Sequence, residues 1–235
     1  MKWRVVIATI SLARNKKEEK IILNTLTELN KLGLPIILTD ESASAFPIFY
    51  KIKGLKNIRA FKANGLDAKI KRSLSEASRI GQFIFYTESD KLDFVSKHAP
   101  NFIQKFLKSP QGVWLSARSE KSFDRYPKYQ KIVEKFLWQS SWALFDGKTM
   151  DISYGPRIFP SSLVKYIKSI RGKIGFGWQA YLLTVGFRLG LPITEVVFDV
   201  NPPADIQKGR RAILYRMWQA EDHLKGFAQG LKIKL

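Results

Sequence analysis

The chain has 235 residues, 45% of them apolar, which suits one α/β domain with a sizeable core and excludes an intrinsically disordered protein. It contains no cysteine, so a disulfide framework and a zinc–thiolate site are both excluded. A formal net charge of +20, from 40 Lys and Arg against 20 Asp and Glu, points to anionic partners: phosphorylated small molecules, nucleic acid or an acidic membrane face.

Residues 4–9 read as a first strand. The apolar run Val5 to Ile10 is too short for a secretory signal, and no run approaches the ~20 residues a bilayer span needs, so a soluble, cytoplasmic protein is expected. Residues 16–31 read as a helix, with Ile22, Leu23, Leu26 and Leu29 near helical spacing and Gly33 as its stop. Residues 35–39 give a second strand that ends at Asp40-Glu41-Ser42, and residues 57–62 a third. A helix over 66–80 is closed by Gly81, and 83–87 is the fourth strand. This β–α alternation predicts a mostly parallel sheet flanked by helices. Further on, helices are expected over 97–108, 132–144, 161–170, 178–189 and 210–231, with strands over 113–117 and 191–200. Residues 145–155 read as a loop. One domain is expected, with residues 1–95 as one half and 96–235 as the other. The basic residues are spread along the chain, densest at Lys16-Lys17, 69–72 and 208–211, with no run of five like charges.

The apolar run Phe83-Ile84-Phe85-Tyr86 stops abruptly at Thr87-Glu88-Ser89-Asp90. Strands buried on both faces read as unbroken apolar runs, and ligands of such sheets bind just beyond the strands' carboxyl ends. Carboxylates at that edge suit a hard divalent cation, which in turn suits a diphosphate. The plainer alternative is a solvated acidic turn. Asp40 stands in the same position after the second strand. As an ionised carboxylate it accepts hydrogen bonds, from a base or ribose, or from its own chain as an Asx-turn or N-cap before residues 42–45.

The order of these segments resembles the GT-A (Rossmann-like) glycosyltransferases, in particular family 2-like and mannosylglycerate synthase-like members. The segments are the strand ends at 40–42 and 88–90, Asn64-Gly65-Leu66-Asp67-Ala68-Lys69 opening a helix between them, Asp151 to Arg157, and Gly175-Phe176-Gly177-Trp178-Gln179. The resemblance covers most of the chain. It implies a metal-dependent enzyme that transfers a sugar from a nucleotide-sugar donor to an acceptor. Thr9, Ser11, Asp40, Gly65, Lys69 and Ser89 would then bind the donor. Asp90 with Glu88, and His223 returning from the last helix, would hold Mn2+ or Mg2+. Asp151, Gln179 and Trp178 would stand on the catalytic, acceptor side. Two departures matter. The metal motif is Glu-x-Asp rather than Asp-x-Asp. Gln179 stands where many inverting members carry an acidic base, and an amide cannot take a proton. Either the base lies elsewhere, with Asp151 the nearest alternative, or the enzyme retains configuration.

Other side chains carry plainer expectations. Trp138, Trp142 and Trp218 read as core, while Trp178, beside a Gly-rich turn, suits stacking on a sugar. Leu214, Met217, Trp218, Leu224, Phe227 and Leu231 read as the face by which the last helix docks. Residues 118–126 read as a loop that binds an acceptor phosphate or merely connects. His98 reads as a surface or structural residue. Two rival functions remain open at this level: a nucleotidyltransferase, which the glycine-free Ala8 to Arg14 segment disfavours, and a non-catalytic RNA- or membrane-binding protein. No nucleic-acid-binding module is visible.

Overall fold

The computed structural model describes residues 2–42, 47–203 and 209–235. Lys208 and residues 43–45, which figure in the sequence-based expectations, lie outside the described residues. In chain order the elements are β1 (Trp3–Ser11), α1 (Lys16–Lys31), β2 (Ile36–Asp40), α2 (Ile48–Lys51), β3 (Ile58–Lys62), α3 (Leu66–Ile80) and β4 (Gly81–Tyr86). There follow α4 (Leu92–Lys97), α5 (Ala99–Lys108), β5 (Val113–Arg118), α6 (Glu120–Asp124), α7 (Lys128–Leu144), β6 (Arg157–Pro160), α8 (Val164–Ile167), α9 (Trp178–Arg188), β7 (Ile193–Phe198) and α10 (Arg210–Lys232). The chain divides into two compact units, one of Met1–Pro110 with Pro156–Val164, the other of Gln111–Gly155 with Lys165–Leu235.

In the first unit the strands run in the order β3-β2-β1-β4-β6. The first four are parallel, and β6 closes antiparallel on β4, with Tyr86 opposite Arg157. The pattern of β1, β2 and β4 is that of strands covered on both faces: Val6, Ile7, Ala8, Leu38, Ile84 and Phe85 are all fully buried. Helix α1 starts where the Asn15 side chain accepts from the Glu18 N–H at 2.9 Å, and it buries Ile22, Leu26 and Leu29. Helix α3 lies over β1, β2 and β4 through Ile70, Leu74 and Ala77. Gly81 closes α3 as expected, in an extended conformation at φ −113°. It is glycine because a Cβ there would come within 2.7 Å of Val6 Cγ2. The helix expected over 97–108 is α5, which starts at Ala99; α4, a further helix before it, ends at Lys97 and is separated from α5 by His98. Pro100 supplies no N–H to continue the α4 ladder. Phe102 and Phe106 of α5 then pack edge-on against Phe85, Phe94 and Phe83.

In the second unit β5 and β7 pair in parallel, from Val113–Ile193 to Arg118–Phe198. Helix α10 packs against α9, the Gly175–Gly177 turn and α7. The expected docking face of α10 is corrected here. Its buried residues are Ala212, Ala220, His223, Gly226, Phe227 and Gly230, while Leu214, Met217, Trp218, Leu224 and Leu231 are exposed. The reason is the closeness of the approach. A Cβ on Gly177 would lie 1.9 Å from the Asp222 carbonyl oxygen, and one on Gly226 would lie 2.0 Å from that of Gly177. Helices whose backbones touch have no room between them for large side chains. Trp142 is likewise exposed rather than core.

Candidate active site

The carboxyl ends of β1, β2 and β4 converge in the first unit. Ser11 stands opposite Asp40 in the β1–β2 register, and the Glu41 N–H reaches the Ser11 carbonyl at 3.2 Å. Asp40 is buried, and its Oδ1 accepts three hydrogen bonds: from Ser11 Oγ at 2.5 Å, Ser42 Oγ at 2.6 Å and Ser42 N–H at 3.2 Å. The bond to the amide two residues on is an Asx-turn, so the local reading of Asp40 holds. All three bonds fall on one oxygen, and among the described residues Oδ2 takes none. The same carboxylate therefore shapes the turn and keeps an acceptor for a ligand.

Next to it, Glu41 ties two elements together. Its Oε1 accepts the Gly65 N–H at 2.8 Å, and its Oε2 pairs with Lys69 Nζ at 2.8 Å. Gly65 opens α3 at φ +82°, a left-handed backbone that favours glycine. Lys69 is buried, and its ammonium also reaches the Ser11 carbonyl at 3.3 Å. Burial acts to raise the Glu41 carboxyl, but the Lys69 and Gly65 hydrogen bonds outweigh it and hold the group below its ordinary value. Lys69 is thus a strut between β1, β2 and α3. Thr9 lies two residues inside β1 and is fully buried.

Beyond β4, the Thr87 N–H reaches the Ala8 carbonyl at 3.2 Å, and Ser89 Oγ donates to that of Ile10 at 2.7 Å. These bonds bind the Glu88–Asp90 turn to the end of β1. The two acids differ in setting. Asp90 is half exposed and pairs with Lys91 Nζ at 2.8 Å. Glu88 is buried, and burial first, then the charge of Asp90, pushes its carboxyl above the ordinary value against the pull of Lys91 and Arg157. Arg157 is a residue that sequence reasoning misses. It is buried at the start of β6, opposite Tyr86, and is a cation close enough to act on Glu88. An arginine opening an otherwise apolar Ile158-Phe159 pair is the only signal for it.

In the second unit Asp151 is buried with Arg118. The guanidinium donates to it twice, Nε to Oδ2 and Nη2 to Oδ1, each at 2.8 Å, and Nη2 also pairs with Glu134 at 2.7 Å. Asp151 accepts further bonds from the Arg118 N–H, Trp138 Nε1 and Ser153 Oγ, while its own N–H donates to Glu195 at 2.7 Å. The rings of Phe123, Tyr126 and Tyr154 surround the guanidinium at 4.7–5.3 Å. Burial acts to raise the Asp151 carboxyl, yet the Arg118 charge and hydrogen bonds keep it below its ordinary range. A carboxylate so engaged is a poor proton acceptor, and its bonds hold Arg118, Trp138 and Ser153 in place. Arg118, expected in a loop, is the buried end of β5.

Trp178 and Gln179 begin α9 and are both buried, which leaves Trp178 little face for a sugar. The Gly177–Asp222 contact brings them and His223 together. The His223 ring is buried, with Nδ1 2.7 Å from the Gln219 carbonyl oxygen. A carbonyl only accepts, so Nδ1 carries a proton, and in the neutral ring Nε2 holds the lone pair. That is the tautomer in which metal-binding histidines are commonly held. Among the described residues no group of three His, Asp or Glu side chains is gathered at metal-binding spacing, and no helix is long and apolar enough to cross a membrane.

The strand order and edge geometry define a GT-A fold. No family model and no curated protein matches the sequence. Among solved structures, the chain is similar to mannosyl-3-phosphoglycerate synthase from Rubrobacter xylanophilus, at 16% identity and a TM-score of 0.68, covering 98% of this chain and 74% of that one. It is also similar to glucosyl-3-phosphoglycerate synthase from Mycobacterium tuberculosis in complex with Mn2+, uridine diphosphate and phosphoglyceric acid, at 17% identity and a TM-score of 0.69, covering 99% and 80%. The complex of that enzyme with Mn2+, UDP-glucose and phosphoglyceric acid matches at the same identity and TM-score. At such identities the likeness establishes the fold.

Proposed function

We propose that the chain is a metal-dependent glycosyltransferase that moves a sugar from a nucleoside-diphosphate sugar to an acceptor hydroxyl. The observation that carries this reading is the joint edge of β1, β2 and β4. There Asp40 keeps one carboxylate oxygen for a nucleoside, beside a Glu88–Asp90 pair suited to a diphosphate-bound cation. The solved relatives by fold are named for such transfers, and their complexes hold Mn2+ with UDP or UDP-glucose.

The two acids beyond β4, Glu88 and Asp90, suit a divalent cation. Glu88 is a buried carboxyl raised by desolvation, so a cation beside it would favour its charged form. Asp90 offers an accessible carboxylate. The ion, when bound, supplies Lewis-acid stabilisation of the departing diphosphate. The chain's own residues do the rest. Asp40 Oδ2 accepts from the nucleoside. Lys69, locked to Glu41, holds the Ser11 carbonyl and the start of α3, and so fixes the width of the donor edge. Ser89 holds the acidic turn to β1. Arg118 keeps Asp151 ionised and in place, and neither it nor Gln179 is assigned a proton transfer. A transfer that retains configuration needs no such base.

Calorimetry with UDP, with UDP-glucose and with a guanosine analogue, each with and without Mn2+, tests the reading. Binding of one nucleotide only in the presence of metal, and its loss in Asp90→Asn, is expected. The absence of binding to any of them, or binding unchanged by that substitution, refutes it.

A further inference from the structure

Helix α10 buries most of its small residues and leaves most of its large apolar ones exposed. At about 100° per residue, Ile213, Leu214, Met217, Trp218, Leu224 and Leu231 fall within one side of the helix, away from Gly226 and Gly230, which meet α9. Met217 is 55% and Trp218 62% exposed, so neither is covered by another element among the described residues. Interleaved on the same side are the exposed cations Arg210, Arg211, Lys225 and Lys232, along with Glu221, whose carboxylate pairs with Lys225 at 2.7 Å.

We propose that this face of α10 lies on an anionic lipid bilayer. A helix lying in a bilayer interface combines large apolar and aromatic side chains with Lys and Arg that pair with acidic headgroups. Here the apolar residues are mainly aliphatic, with Trp218 among them, and tryptophan favours the headgroup level. Charge decides between the occupants. A second copy would bring another +20 chain with the same four cations against this face, whereas an acidic membrane surface attracts every one of them. Nucleic acid also attracts cations, but it offers no apolar layer for Ile213, Leu214 and Met217.

Flotation of the full chain with vesicles tests this. The vesicles are phosphatidylcholine alone, or phosphatidylcholine with about one-third phosphatidylglycerol. The chain is expected to float with the anionic vesicles only, and to be released by high salt. The pair Met217→Gln with Trp218→Gln changes exposed side chains alone, so an unaltered melting temperature and at least about a tenfold loss of vesicle affinity are expected. Arg210→Gln and Arg211→Gln should each weaken binding about fivefold, as for a surface charge near an acidic leaflet. The proposal is overturned by failure of the chain to float, by equal flotation of the Gln variant, or by a concentration-dependent dimer that the same variant abolishes. The Gln variant leaves every residue proposed for donor binding unchanged, so measuring its nucleotide binding separates this test from that of the enzymatic reading.

Discussion

Replacing Asp151 by asparagine removes a charge without changing shape, and the surrounding donors set its cost. Five donors converge on the carboxylate: Arg118 Nε, Nη2 and N–H, Trp138 Nε1 and Ser153 Oγ, all between 2.8 and 3.1 Å. Oδ2 takes the Arg118 Nε and N–H, and Oδ1 takes the other three. An amide has one accepting oxygen, so its NH2 must face donors on one side or the other. Arg118, 2% exposed at its side chain, is then left with Glu134 as its only strong counter-charge among the described residues. Removing one partner of a buried pair costs about 3–5 kcal/mol. For a chain of this size that corresponds to a fall in melting temperature on the order of 10 °C. Thermal unfolding followed by circular dichroism measures it. The pH dependence has a definite sign. The folded-state pKa of Asp151 is depressed, so its contribution is present above the unfolded-state value and disappears as pH falls through the folded one. The variant should therefore lose less stability on acidification than the parent. The double change Asp151→Leu with Arg118→Met should cost less than the sum of the single changes, since replacing a whole buried pair is milder than breaking it. A variant that melts with the parent yet has lost all turnover would refute this structural role and restore Asp151 as a proton acceptor.

Asp40→Ala should weaken nucleotide binding by about 1–3 kcal/mol, the usual scale for a lost hydrogen bond to a charged group; calorimetry that finds lower thermal stability but intact affinity would confine Asp40 to its turn. Glu88→Gln should leave the melting temperature level or higher, because it relieves a buried charge, while metal-dependent nucleotide affinity falls. In the parent that affinity should decline as pH drops through the raised Glu88 value, with protons competing for the carboxylate, and a pH-independent titration would speak against Glu88 as a ligand. Gly226→Ala places a Cβ 2.0 Å from the Gly177 carbonyl oxygen, a contact only backbone movement can relieve. A loss of about 1–3 kcal/mol is expected in thermal melts, and an unshifted melt would show that α10 is not seated on α9 through these glycines.

The first ninety residues are legible in the sequence because their physics is local. Strands covered on both faces give apolar runs such as Ile36-Ile37-Leu38, and α1 and α3 have the limits that periodicity and their flanking residues predict, 16–31 and 66–80. The acids at 40, 88 and 90 are legible for the same reason, since they interrupt those runs. What joins them is not. The Lys69–Glu41 strut and the Arg118–Asp151 pair link residues far apart in the chain, and nothing in either neighbourhood marks its partner. Strand β6 leaves little trace because four residues, one an arginine and one a proline, carry no periodicity. Helix α10 has nearly the length its sequence predicts, but of its expected docking face only Phe227 is buried. Periodicity locates a face of large apolar residues and does not say that glycines have claimed the core side.

The contact between Gly177 and Gly226 is main chain against main chain, so it contains no rotamer that can yield. His223 sits about one turn before Gly226, and its position along α10 is therefore referenced to peptide geometry, not to the fit of neighbouring side chains. Such a stop makes the imidazole indifferent to much of the surrounding sequence: exchanging one exposed leucine of α10 for another residue leaves its coordinates alone. The same stop concentrates vulnerability. One methyl group at either glycine shifts the ring that a whole face of substitutions would not disturb.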